Sequence, residues 1–214
     1  MLSSVHPVRR GLVGIVCAAM AVLAVSCASA GSSPDTAATT TDSPAGAEVV
    51  LLDLAEAGAV AAWTTVNDPV MGGKSTSTTR FGDGGLVFSG DVSLENNGGF
   101  ASARGPLDPG IGRRAAGAAA LRVHARGDGK TYLIKVGVDG QPWSYIQRFS
   151  TVAAVQQTYD LPIAGFEPVG TRLDPEPDAP RTLDPALIDQ VSLYILDEQQ
   201  GPFAITVTGV DAAR

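Results

Sequence analysis

A two-sheet antiparallel β-sandwich is the fold class this chain predicts, on three observations. Apolar residues alternate with period two in many short segments, the spacing of half-buried strands. Turn signals separate those segments: Gly82-Asp83-Gly84-Gly85, Gly127-Asp128-Gly129, Asp139-Gly140 and Gly201-Pro202. Helix signals are sparse. Ten or so short strands with such punctuation belong to a sandwich or barrel.

The strands follow in order. Candidates cover 49–54, 86–89, 99–104, 121–126, 131–138, 144–149, 158–161, 191–196 and 203–208. In the fourth, Leu121, Val123 and Ala125 alternate with Arg122, His124 and Arg126. In the fifth, Tyr132, Ile134, Val136 and Val138 share one face. Val191, Leu193 and Ile195 alternate with Ser192, Tyr194 and Leu196, and Phe203, Ile205 and Val207 with Ala204, Thr206 and Thr208. The six residues 115–120 hold Gly117 and lead into a strand. The stretch 166–182 carries Pro168, Pro175, Pro177 and Pro180 and reads as an irregular but ordered loop. Asp184-Pro185 caps and starts a single helical turn, with proline at the first helical position.

The N-terminal region reads differently. Arg9 and Arg10 precede an uncharged apolar run, 11–25, too short for a span of roughly 20 residues. The run ends in Leu23-Ala24-Val25-Ser26-Cys27, the pattern of a lipoprotein signal peptide over 1–26 with Cys27 acylated by palmitate-type chains. The alternative is cleavage after Ala28 or Ala30 and plain secretion. Residues 27–47 are Ala, Ser, Thr, Gly, Pro and Asp beyond the cysteine, a low-complexity tether without large apolar side chains. Its reach is roughly 25 Å. The sandwich is expected to occupy 48–214, anchored to the bilayer through Cys27 and facing outside the cytoplasm.

Composition closes several function classes. From Cys27 onward the chain holds 13 Lys or Arg against 22 Asp or Glu, near −9. That balance repels nucleic acid, and no basic cluster offsets it. Cys17 and Cys27 are the only cysteines, so the domain offers no disulfide, thiolate metal site or thiol nucleophile. His124 is the only histidine beyond the signal and sits on an alternating strand, a poor general base for a Ser-His-Asp arrangement. No phosphate-binding glycine loop opens a helix. Asp197 and Glu198 are the acids best placed for calcium, but no loop carries regularly spaced acids. No enzyme, metal or cofactor is expected.

Two polar, glycine-rich segments stand about twenty residues apart. They are Val66-Asn67-Asp68-Pro69-Val70-Met71-Gly72-Gly73-Lys74-Ser75 and Ser93-Leu94-Glu95-Asn96-Asn97-Gly98-Gly99-Phe100-Ala101-Ser102. Trp63, Phe88-Ser89-Gly90-Asp91-Val92, Gly127-Asp128-Gly129-Lys130-Thr131-Tyr132, Leu161-Pro162 and Asp197-Glu198-Gln199-Gln200-Gly201-Pro202-Phe203 accompany them in order. Together these motifs resemble the complex I intermediate-associated protein 30 family over about 63–210. The resemblance implies a jelly-roll sandwich like that of galactose-binding modules. Where that family usually carries a Trp before the Leu-Pro pair, this chain has Gln156 or Tyr159.

Two roles compete for the polar residues. Asn67, Asp68, Ser75, Asn96, Asn97 and Arg104 have the donors and acceptors a sugar or partner needs in fixed geometry. They also suit hydrogen bonding to loop backbone, pinning two long connections, and that role is preferred. Trp63, Trp143, Tyr145 and Tyr194 are the aromatic candidates for a stacking face. Trp63 is expected in the core, and Trp143, after the Gly140-Gln141-Pro142 turn, is the better candidate for exposure. A groove beside Trp143 and Tyr145 would favour sugar binding. The expectation is a non-enzymatic, membrane-anchored binding module. A protein-interaction or assembly role through the two glycine-rich segments comes first, and carbohydrate binding through Trp143 and Tyr145 is the alternative.

Overall fold

A computed structural model describes residues 48–68 and 72–214. The expected signal peptide, Cys27 and the tether lie outside the described residues, as do Pro69, Val70 and Met71. The described residues form two antiparallel six-stranded sheets.

The first sheet has the order β3 (Thr76–Gly82), β4 (Gly85–Val92), β12 (Gly201–Ala213), β6 (Ala120–Arg126), β9 (Gln156–Pro162). Strand β1 (Glu48–Asp53) pairs with the second half of β12, while β4 pairs with its first half. The second sheet has the order β10 (Glu167–Val169), β8 (Ser144–Ser150), β7 (Thr131–Val138), β11 (Ile188–Ile195), β5 (Ala101–Arg104), β2 (Thr64–Asn67). Two short helices, α1 (Ala57–Ala61) and α2 (Gly110–Ala115), lie in the connections.

The core is the space between the sheets, filled by the alternating residues of both. Leu121, Val123 and Ala125 of β6 face Tyr132, Ile134 and Val136 of β7 and Val191, Leu193 and Ile195 of β11, all buried. Phe88 and Phe203 meet edge-on at 4.9 Å between ring centres, a favoured aromatic geometry. On β12 the inward set changes phase, from Phe203, Ile205 and Val207 to Val210 and Ala212. A register shift between Val207 and Gly209 causes this. Such a bulge adds one residue to one strand and lets the strand follow the curvature of the sheet.

Local chemistry explains the connections. Asp83 and Gly84 both take positive φ, 52° and 77°, as a two-residue hairpin of the Asp-Gly kind requires. Asp184 accepts a hydrogen bond from the Ala186 amide at 3.0 Å and starts the one-turn 3-10 helix Pro185–Leu187. The proline-rich stretch holds strand β10 and a β-bridge between Val169 and Pro175. Strands β2 and β3 were not expected from the sequence. Their Thr and Ser residues give no apolar alternation, and β3 is an edge strand with mixed exposure.

The second sheet is covered on both faces. Tyr194 of β11 points away from the main core yet is buried, in a second apolar cluster with Leu133, Ile146 and Val169. Phe100, Leu173 and Leu196 pack on that cluster. The proline-rich stretch supplies Leu173, whose φ of 64° turns the chain back over the sheet. This outer cluster is the floor of the cleft described below.

Candidate functional site

Asp68 joins the two glycine-rich segments. Its side chain is fully buried. One oxygen accepts from the Ser75 amide at 2.8 Å. The other accepts from the Ser75 hydroxyl, from the Gly99 amide at 2.6 Å and from the Phe100 amide at 3.3 Å. Ser75 Oγ in turn accepts from the Ser93 amide at 3.0 Å. Burial works to raise the Asp68 pKa. The hydrogen bonds from Ser75, Gly99 and Phe100 outweigh it and hold the carboxyl below its ordinary value.

The glycines allow this close approach. A Cβ on Gly98 would stand 2.6 Å from Asp68 Oδ2 and 2.7 Å from the Ser93 carbonyl. A Cβ on Gly73 would collide with the Asp68 side chain. Gly99 adopts φ of 136°, in the region that favours glycine. Asn67 pairs with Ser77 Oγ at 2.6 Å. Asn96 donates to the Gly72 carbonyl at 3.2 Å, and Lys74 meets Glu95 at 2.5 Å. Asn96 and Asn97 both adopt positive φ and present exposed side chains at the tip of the second segment. Asp68 and Ser75 are therefore enclosed and bonded to the loops, with no open face toward a ligand.

Arg104 lies elsewhere, on the outer face of the second sheet. Antiparallel register sets it in a row with Thr64, Ser192, Lys135 and Ile146. The adjacent row runs Val66, Ser102, Tyr194, Leu133, Arg148. The Arg104 guanidinium and the Lys135 ammonium each stand 5.9 Å from the centre of the Tyr194 ring, within cation–π range. Phe100 stacks on the same ring at 6.4 Å. Burial, followed by the Arg104 charge, holds the Lys135 pKa below that of an ordinary lysine.

A cleft of about 800 Å³ opens over this surface. Phe100, Leu94, Val66, Leu173 and Leu196 give it apolar walls, and Arg104, Arg172, Thr171 and Glu198 give it polar groups. Asp197 lines it too, held by Arg148 through two bonds of 2.7 and 2.9 Å. Phe100 thus links the two features. Its amide is fixed by Asp68, and its ring forms the cleft wall.

The stacking face expected of Trp143 and Tyr145 is not formed. Tyr145 is buried in the main core, and its hydroxyl donates to the Pro180 carbonyl at 2.9 Å. It shares a strand face with Phe149, also buried, and that shared phase was the available signal. Trp143 packs partly against the core, and the notch beside the two rings measures about 190 Å³. Of the two residues that could stand where the family usually carries a Trp, Tyr159 is buried 5.0 Å from Phe149 and Gln156 is exposed. Trp63 is buried in the core, as the sequence leads one to expect. His124 is held between Thr158 Oγ1 at 2.9 Å and Asp211 at 2.7 Å. Among the described residues, no group of three His, Cys, Asp or Glu is gathered as for a metal ion. The site residues that the sequence did not single out include Phe100, Arg172, Lys135 and Leu173. Phe100 stood within a named motif, whereas Lys135 and Leu173 carried no signal because chain folding alone brings them to Tyr194.

The family model of complex I intermediate-associated protein 30 matches residues 52–207. The chain belongs to this family. No curated protein matches it significantly. Among solved structures, this chain is similar to the family 11 carbohydrate-binding module of a cellulosomal cellulase of Clostridium thermocellum. The TM-score is 0.55 at 15% identity, over 79% of this chain and 96% of that one. The same module in complex with a β-1,3-1,4-mixed-linked tetrasaccharide gives a TM-score of 0.52 at 15% identity, over 77% and 94%. An agarase gives 0.52 at 12% identity, over 79% of this chain and 25% of the agarase. At these identities the likeness shows the jelly-roll fold.

Asp68 sets an acid limit on the stability of the sandwich. Its folded pKa is depressed, so its contribution is present above the ordinary value of 3.8 and is lost as pH falls through the folded value. Asp68→Asn is expected to lose on the order of 2–3 kcal/mol at neutral pH, because hydrogen bonds to a charged acceptor become bonds to a neutral one or are lost. Urea denaturation should show the gap between parent and variant narrowing by about pH 3. An equal gap at both pH values would contradict the assignment.

Proposed function

We propose that this protein is a non-catalytic, lipid-anchored binding module whose outer-sheet cleft takes a glycan. The cleft itself carries the reading. Its volume of about 800 Å³ falls in the range of roughly 300–1,000 Å³ typical of small-ligand sites. It pairs a half-buried aromatic wall, Phe100, with arginine and hydroxyl groups, as sugars need apolar CH faces and directed polar contacts together. The tetrasaccharide held by a fold neighbour supports the same reading. The placement of Phe100 by Asp68 supplies a rigid wall, which lowers the ordering cost of binding.

A second reading rests on the pinned tip of the second glycine-rich segment. Asn96 and Asn97 hold positive φ and expose amide side chains in a fixed geometry, as a protein-docking edge would. This is the interaction or assembly role, and it does not use the cleft.

Phe100→Ala is expected to lower affinity for a bound oligosaccharide by about fivefold or more, since stacking contacts of this kind are worth on the order of 1 kcal/mol or more. Trp143→Ala should leave affinity within about twofold. A glycan array followed by calorimetry checks both. Loss of binding with Trp143→Ala and not with Phe100→Ala would move the site to the other end of the sandwich. The anchor is tested separately. Cys27→Ser should move the protein from the membrane fraction to the supernatant, and unchanged partition would remove the lipid anchor from the reading.

A further inference from the structure

Arg104 and Lys135 are two cations placed against one ring. Among the described residues, neither forms an ion pair, and neither does Arg172, which also lines the cleft. Arg104 Nε is buried without a hydrogen-bond partner. Both charges are held by the face of Tyr194. A cation–π contact positions a guanidinium without consuming its N–H donors. Two like charges this close repel each other, and their surroundings are partly dehydrated, so the repulsion is little screened.

The acids in the cleft do not relieve it. Asp197 is taken by Arg148. Glu198 follows β11 beyond the pairing of Ile195 with Ala101, while Arg104 pairs three residues away with Ser192. Three strand residues span roughly 10 Å. Arg104 and the acids Asp197 and Glu198 therefore stand apart along β11, with Phe100 between them, and Arg172 adds a further cation to the cleft lining. The excess of 22 Asp and Glu over 15 Lys and Arg in the whole chain makes an uncompensated cation pair more informative here than on a basic protein.

We infer that the cleft recognises an acidic sugar, with a hexuronate ring against Phe100 and its carboxylate at Arg104. This rests on the glycan reading of the cleft. The planar fork of arginine matches a carboxylate, and Lys135 adds a second positive charge beside it. A hexuronate supplies both parts at once, an apolar ring face and an anionic group one bond from the ring. A neutral sugar would leave the cation pair uncompensated.

The test uses the full chain and calorimetry. Oligomers of galacturonate and of glucuronate are each compared with their carboxyl-reduced, neutral counterparts, and inorganic phosphate is titrated alone. At least one uronate oligomer is expected to bind about tenfold or more tighter than its neutral counterpart. Arg104→Gln should abolish that preference, and Lys135→Gln should reduce it in a protein whose melting temperature matches the parent. Neutral oligomers that bind as tightly as the acidic ones, with dependence on Phe100, would overturn the inference and leave the glycan reading standing. No binding by any oligomer would overturn both. Phosphate binding as tightly as the uronates would overturn the inference in favour of a bare anion site.

Discussion

Asp68 takes four donors into a fully buried carboxylate, and they come from two segments that lie as far as 32 residues from it in sequence. Burying a charge without partners is costly, and several charge-assisted hydrogen bonds to the carboxylate offset that cost. The arrangement is possible only because Gly73 and Gly98 present no side chain to the carboxylate. Asp68 and the glycines therefore act as one unit. They hold the Phe100 backbone at the end of β5, and β5 is a strand of the sheet that carries the cleft floor. A change in this buried group would be felt at the cleft wall, though Asp68 itself faces no ligand.

The second constraint is the double coverage of the second sheet. An antiparallel sheet in a sandwich commonly leaves its outer face to water. Here Tyr194, Leu133, Ile146 and Val169 form a second apolar layer, and Leu173 folds over it. A tyrosine ring in that layer can hold two cations against its face while their donors stay available. The layer is thus both structural support and the origin of the cleft's charge pattern. Register fixes it, because Arg104, Ser192 and Lys135 must share a row once β5, β11 and β7 pair as they do.

The strands with apolar alternation were legible because period two is a direct consequence of the pleat. Tyr132, Ile134, Val136 and Val138 face inward as their spacing requires. The Asp83-Gly84 turn was legible from the need for positive φ. Strands β2 and β3 were not, since Thr- and Ser-rich edge strands have no apolar face to reveal a period. The pinning role of Asp68 and Ser75 was visible from residue type, while their joint attachment to Gly99 and Phe100 was not, because it joins distant segments. The aromatic residues show the limit most clearly. Tyr145 shares its phase with Phe149 and belongs to the core, whereas Tyr194 alternates outward and is buried only because another part of the chain covers it.

Amide hydrogen exchange at Ser75, Gly99 and Phe100 tests the central claim most directly. Their amides donate to a buried carboxylate, so they should exchange as slowly as strand amides such as those of β7, and far more slowly than the exposed 3-10 turn at Asn96 and Asn97. Exchange at Ser75 and Gly99 as fast as at that exposed turn would show that the two segments are not held by Asp68, and the fixed cleft wall would fall with it.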